Sequence, residues 1–185
     1  MSDTSHGVRL ADAPKLGEYW PGQGGLYAGV IPDYEGNHPR VLIVADDQAI
    51  DVPWGGSGDV EHGAHDRADG YANTRDLVGC KAASHFHHAA RFAWTYEQDG
   101  HDDFYLPSQR ELDALNVTMS ETFDQTDWYW SSTERSSAMA WGRNFGGAAI
   151  DTMLKHMPGR ALAVRSVPVI EDAPCTVSEC TSGPA

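Results

Sequence analysis

Histidines concentrate in one part of the chain, where they could hold a transition metal. Five of the nine histidines lie in the stretch 62–88: His62, His65, His85, His87 and His88. His85 and His88 are one turn apart on a predicted helix and could share a metal ion. The i, i+4 His pair with an intervening Glu is absent. Because Phe86 continues the apolar stripe of that helix, we expect solvated imidazoles at its surface, with a metal site as the alternative.

A second cluster that could do chemistry is acidic. Asp99, Asp102 and Asp103 offer the carboxylate oxygens that calcium prefers. Their spacing does not match an EF-hand loop, and they directly precede a turn. We therefore expect a solvated turn and no cofactor, with calcium as the alternative ligand.

The stretch "DFYLPSQRELDAL" (103–115) places a serine at a turn after an aromatic run. Pro107 keeps the residue before it out of helical backbone. Ser108 and Glu111 have the spacing of a capping box, in which each side chain accepts the other residue's backbone N–H. Since no base lies near Ser108 in the sequence, the pattern predicts a structural turn and cap formed by Pro107, Ser108 and Glu111, and no catalytic residue.

Size and charge narrow the function. The chain has 185 residues and 41% apolar side chains, which is enough for one sizeable core. Its formal net charge of -14 repels nucleic acids and anionic membrane surfaces, so we expect no nucleic-acid partner. The N-terminal residues are polar, and no apolar run approaches the roughly 20 residues of a membrane span. We expect synthesis in the cytosol and no membrane insertion.

The three cysteines do not indicate a disulfide framework. Cys80 adjoins the helical pattern and is expected to be a small buried residue, while Cys175 and Cys180 lie in a polar tail and could pair with each other.

The apolar pattern divides the chain into an N-terminal arm, a body and a tail. Residues 1–18 lack periodicity and are predicted to be a docking segment; the body spans 19–169, and the flexible, polar tail spans 170–185. Alternation and turn signals predict strands at 24–31, 40–46, 49–54, 127–133, 138–147 and 161–169.

Two helices separate these strands. A stripe of period 3.6 predicts the first from about 75 to 97, with Asn73 or Thr74 as its cap and a surface loop at 55–70 before it. The second begins after Ser108, and the chain returns to strand and loop after Asn116. Strands, two helices and strands again indicate an α+β, loop-rich fold.

Aromatic residues dominate the strands that follow the second helix. We expect Trp130, Trp141 and Phe145 to pack in the core, and residues 131–137 to form a polar turn at an exposed tip.

Four blocks in this order resemble a known family: "DGYANT" (69–74), "DGHDDFYLPSQRELDAL" (99–115), "WYWSSTE" with "AWGRNF" (128–134 and 140–145), and "ALAVRSV" (161–167). They are similar to the family named for the C-terminal domain of the Legionella collagen-like adhesin, although Phe104 stands where the family usually has Trp. The resemblance implies a C-type-lectin-like fold with two helices packed on short antiparallel sheets. It also implies a setting among phage or prophage particle proteins and bacterial adhesins.

The resemblance favours a non-enzymatic viral structural protein: a display module of the virion, in capsid decoration or at a head or tail fibre tip, that mediates adhesion or receptor binding. The alternative is a bacterial surface adhesin that binds glycans. An enzyme like the formylglycine-generating group is disfavoured because 127–167 contain no cysteine. A metal-dependent enzyme is disfavoured by the missing i, i+4 His pair. The calcium-binding motifs of sugar-binding lectins are also missing.

By analogy with variable members of this fold, the contact surface is expected between Thr133 and Met153. The predicted binding residues are Thr133, Glu134, Arg135, Ser136, Arg143, Asn144 and Asp151. The expected partners are other virion proteins through the arm and a host-surface glycan or protein receptor. A homo-oligomer is expected, with a trimer in keeping with the symmetry of particle proteins.

Overall fold

The computed structural model of the chain describes residues 7–32, 38–79, 86–147 and 150–170. It confirms the α+β prediction, with one mostly open seven-stranded sheet and three helices. The strands are β1 (Tyr19–Trp20), β2 (Gly25–Ile31), β3 (Arg40–Val52), β4 (Trp128–Ser136), β5 (Met139–Asn144), β6 (Ile150–Leu154) and β7 (Gly159–Pro168). The helices are α1 (Gly70–Gly79), α2 (His88–Trp94) and α3 (Gln109–Met119).

The strand order across the sheet is β1-β2-β3-β7-β4-β5-β6. All neighbouring pairs are antiparallel except β4 and β7, which meet in parallel where Tyr129 faces Arg160. Beyond that point β7 instead bonds to the extended segment before α3, through Tyr105 and Val164. No helix in the described ranges is both long and apolar enough to cross a membrane.

Most predicted strands are confirmed, with two corrections. The prediction of a separate strand at 49–54 is wrong, because β3 continues without interruption to Val52. β3 accommodates two register shifts against β7 on the way. The prediction of an exposed polar turn at 131–137 is also wrong, because β4 extends through Ser136. β1 and β6 were not predicted, since two residues and the mixed pattern "IDTML" give little alternation to read.

The single helix predicted from 75 to 97 is wrong. α1 begins at Gly70, where the Asp69 carboxylate accepts the Ala72 N–H at 2.8 Å and so takes the role of the cap. His87 has extended backbone immediately before α2, which ends at Trp94. Cys80 and His85 lie outside the described residues.

Apolar side chains cover both faces of the sheet. Leu112 and Leu115 of α3 pack on one face in the cluster that holds Leu162 and Val164 of β7. The intervening β7 residues are alanines, and they face the cluster containing α1 and α2. Because side chains alternate along a strand, the β7 alanines let α2 approach one face of the sheet closely. Leu162 and Val164 fill the space on the opposite face.

The predicted aromatic core is confirmed in part. Trp130 and Phe145 are buried. The prediction for Trp141 is wrong, because its ring is only half-buried and lies beneath the guanidinium of Arg67, 5.5 Å from the ring centroid.

The four blocks that carry the family resemblance bond to one another in the centre of the fold. The Thr74 hydroxyl accepts the Leu106 N–H at 3.0 Å, and Ser132 N–H donates to the Pro107 carbonyl at 2.8 Å. Asn73 donates to the Ser132 hydroxyl at 3.3 Å. The two residues predicted to cap a helix, Asn73 and Thr74, therefore tie separate segments of the chain together.

The first and last described segments lie side by side. Val8 pairs in parallel with Val169, its N–H donates to the Pro168 carbonyl at 2.9 Å, and its carbonyl accepts the Ile170 N–H at 2.8 Å. Within the predicted arm, Gly17 also bonds to Tyr27 of β2. Residues 1–6 and 171–185, including Cys175 and Cys180, lie outside the described residues.

Candidate functional site

Three connections meet at the end of β3 and β7 that is remote from Val8 and Val169. The loop 53–69 follows β3, the turn 137–138 joins β4 to β5, and 155–158 join β6 to β7. Gly58 N–H donates to the Ser137 carbonyl at 2.9 Å, and Lys155 N–H donates to the Ala138 carbonyl at 2.9 Å. We call these three connections the rim.

A buried ion pair lies beneath the rim. The Lys155 ammonium donates to Glu134 Oε1 at 2.5 Å and to the carbonyls of Asp59 at 2.9 Å and Gly56 at 3.3 Å. Both charged side chains are 0% exposed, and the ammonium lies 4.6 Å from the centroid of the Trp54 ring. Lys155 thus uses its three donors to fix loop 53–69 to β4.

Glu134 makes further contacts with the same loop. Its Oε1 also accepts the Glu61 N–H at 3.0 Å, and its backbone N–H donates to the Ala64 carbonyl at 2.6 Å. Its Oε2 lies 3.4 Å from Nε2 of His65, a side chain that is 47% exposed. Glu134 therefore joins a strand, a turn and a loop.

A histidine and a carboxylate also meet beside Trp54. His87 Nε2 lies 3.2 Å from Glu61 Oε1, and the imidazole packs edge-on against Trp54 with ring centroids 4.9 Å apart. Gly56 makes room for this contact, because a Cβ there would lie 2.5 Å from His87 Cε1. A loop rich in glycine is thus held close to two buried polar side chains.

The prediction of solvated histidines is wrong for His87, which is buried just before α2. It is confirmed for His88 on α2 and for His62 and His65 in the loop, which are all exposed. Among the residues that the structure describes, no three His, Cys, Asp or Glu side chains are arranged to hold a metal ion.

The predicted contact residues divide into buried and exposed sets. Thr133, Glu134 and Arg143 are buried and serve the fold: Thr133 accepts the Gln109 N–H at 3.1 Å, and Arg143 pairs with Asp113. Asn144 is half-buried and donates to the Asp127 carbonyl at 3.0 Å. The three exposed members are Arg135, Ser136 and Asp151.

The predicted cap is present in full. Ser108 Oγ accepts the Glu111 N–H at 3.3 Å, and Glu111 Oε2 accepts the Ser108 N–H at 2.7 Å. Glu111 Oε1 also accepts the Tyr105 hydroxyl at 2.6 Å. Burial raises the pKa of Glu111 above its ordinary value, although these hydrogen bonds oppose the shift. Ser108 thus has the structural role that its spacing predicts, immediately after Pro107.

The acidic stretch at 99–103 also serves the fold. Asp99 accepts hydrogen bonds from the Gly22 N–H at 2.8 Å and the Tyr19 hydroxyl at 3.0 Å, and these donors lower the pKa of its carboxyl. Asp103 pairs with Arg165 at 2.7 Å. Asp102 is exposed and lines a shallow cleft of about 380 Å³ formed by 97–102.

Sequence reasoning missed Lys155, Glu61 and Trp54. Neither spacing nor composition distinguishes Lys155 from a surface lysine, because its acceptors come from the distant loop 53–69. "WGG" at 54–56 is the one available signal, since paired glycines mark close backbone approach.

The chain was also compared with known proteins. No protein-family model matches it, and no curated protein matches its sequence.

Proposed function

We propose that the chain is a non-enzymatic display module of a phage particle, docked at one end and making contacts through the rim at the other. Its body is proposed to be C-type-lectin-like. The opposite placement of the two ends is the observation that carries this proposal. Arg40 pairs with Pro168 beside the terminal segments, whereas Val52 pairs with Gly159 at the rim. The nine steps along β7 separate these ends by about 30 Å at roughly 3.3 Å per residue.

The lectin-like assignment draws support from the four blocks. Their residues bond to one another across α1, the segment before α3, β4 and β7, so the motif describes one connected core. A core of this kind serves a scaffold whose loops carry recognition.

The rim is suited to making contacts because it is both fixed and exposed. Loop 53–69 is anchored by the buried Lys155 and Glu134, yet Val60 within it is exposed. Met157 in the connection 155–158 and Leu154 just before it are also exposed, as are Arg135 and Ser136. A preorganised surface with apolar and polar side chains loses little conformational entropy when it binds a partner.

Particle and host-cell binding test this proposal together. Particles lacking the chain should lose a surface feature and regain it when purified chain is added. Particles that carry Arg135→Glu together with Met157→Ser should keep the feature and bind host cells less tightly. Val117→Ser is a matched control, because Val117 is 85% exposed on α3 and does not belong to the rim. Unchanged surface features and infectivity without the chain would refute the display role.

A glycan-binding adhesin is the second candidate, favoured by Trp141. Trp141 is half-buried on β5, where it pairs with Thr152 of edge strand β6, so part of the aromatic side chain reaches solvent. Aromatic faces contribute apolar contact area at low entropic cost. A glycan array separates the candidates: saturable sugar binding that is lost in Trp141→Ala supports the adhesin.

The proposed assembly is a homo-oligomer, for example a trimer. Light scattering on the purified full chain tests this directly, and a mass equal to one chain at micromolar concentration would contradict it.

A further inference from the structure

Lys155 and Glu134 are a nucleophile and an acyl group in contact, enclosed by protein. The nitrogen lies 2.5 Å from Oε1, and neither side chain is exposed to solvent. The two residues are 21 positions apart, with Glu134 in β4 and Lys155 in the turn after β6, so their contact is a product of folding. Contact of this kind replaces a bimolecular encounter by a preorganised intramolecular one.

The surroundings of the carboxyl group fit acyl transfer. The Glu61 backbone N–H donates to Oε1 at 3.0 Å, where it would stabilise negative charge developing on that oxygen. Oε2 is the oxygen that would depart, and Nε2 of His65 lies 3.4 Å from it. Because His65 is half-exposed, it can exchange protons with water and act as an acid–base group.

We propose that Lys155 and Glu134 condense within the folded chain to form an amide cross-link. The ammonium gives one proton to the Glu134 carboxylate that it contacts, and the amine nitrogen attacks Cδ of Glu134, forming the C–N bond. The bond from Cδ to Oε2 then breaks. Two protons that started on Nζ leave with Oε2, the second by way of His65, as one molecule of water. An ammonium and a carboxylate become an amide and water, with no oxidant, reductant or other reactant.

Burial supplies the driving force for this step. Two charges removed from water carry a desolvation cost that a neutral amide does not. The product keeps one N–H, which can still donate to the Asp59 carbonyl that Lys155 contacts at 2.9 Å. The cross-link would join β4 to the turn after β6 and hold loop 53–69 against both.

The intact mass of the purified full chain, measured after denaturation and reduction, tests whether the amide cross-link forms. The expected mass is that of the sequence minus one water, and digestion should yield a branched peptide containing Lys155 and Glu134. Lys155→Met should show the full sequence mass. His65→Gln should form the product more slowly in a time course of freshly made chain.

Two results would overturn the proposal. One is a wild-type chain at full sequence mass, with unbranched Lys155 peptides after long incubation at neutral and mildly acidic pH. The other is a water loss that persists in Lys155→Met, as succinimide formation at Asp69–Gly70 or Asp99–Gly100 would give. The wild-type mass is decisive even where a variant folds poorly.

Discussion

The Lys155 ammonium and the Glu134 carboxylate form a fully buried contact that connects β4, the turn after β6 and loop 53–69. It is the central electrostatic feature of the rim. A loop of 17 residues without regular structure would ordinarily be a weak platform for recognition. Here the buried contact between Lys155 and Glu134 anchors that loop to the sheet.

Removing one partner of this contact should be costly. Lys155→Met leaves the Glu134 carboxylate buried without its counter-ion and should lower the free energy of unfolding by about 3–5 kcal/mol. Urea denaturation measures this loss against wild-type chain of full sequence mass, in which the pair is still ionic. The double variant Lys155→Met with Glu134→Leu should recover part of the loss, because no charge is then stranded. A loss in the single variant no larger than that of a surface substitution would contradict the burial of the pair.

Gly55 and Gly58 form a matched pair for testing how closely the loop is packed. Both have strongly positive φ, 104° and 107°. A Cβ at Gly55 would overlap the backbone carbonyl of Phe86, whereas one at Gly58 meets nothing within 4 Å. Gly58→Ala should cost only backbone strain, about 1–2 kcal/mol, and Gly55→Ala distinctly more. Equal losses of stability in thermal denaturation would show that the loop does not pack against Phe86.

Ser108→Ala should remove one half of the capping box. The Glu111 N–H would lose its acceptor at the start of α3, and the expected loss is about 0.5–2 kcal/mol. Ser136→Ala, at an exposed serine near the end of β4, should change stability by less than about 0.5 kcal/mol. Indistinguishable denaturation midpoints for the two variants would refute the cap.

Asp99 should make stability depend on acid pH. Hydrogen bonds from Gly22 and Tyr19 lower the pKa of its folded-state carboxyl below the ordinary 3.8. As the pH falls, the unfolded chain takes up this proton first. Asp99 therefore contributes stability above pH 3.8 that is lost as the pH falls through the lower folded-state pKa.

Asp99→Asn is the matched variant for this effect, because Asn also tolerates the left-handed backbone at φ 53°. The difference in stability between wild type and variant should be larger at pH 6 than at pH 2.5. Carboxyl NMR should place the pKa of Asp99 below the ordinary aspartate value of 3.8. A constant difference across this range would contradict the hydrogen-bonding account.

Local sequence was sufficient where the deciding interactions are close along the chain. Ser108 and Glu111 are three residues apart, so the capping box can be read directly. The strand patterns at 24–31 and 161–169 persist in β2 and β7, because alternation is a property of consecutive residues. The same reasoning mistook 75–97 for one helix, since an apolar period does not reveal extended backbone at His87.

Local patterns in the sequence predicted the α+β class, most strands, the turn and cap at Pro107, Ser108 and Glu111, and the burial of Trp130 and Phe145. Tertiary structure decided which polar side chains lie inside. Glu134 was expected at an exposed tip and is buried, because its partner Lys155 and the loop carbonyls around it come from distant segments. A charged side chain is stable in the interior only when folding supplies such partners, and no local pattern records them.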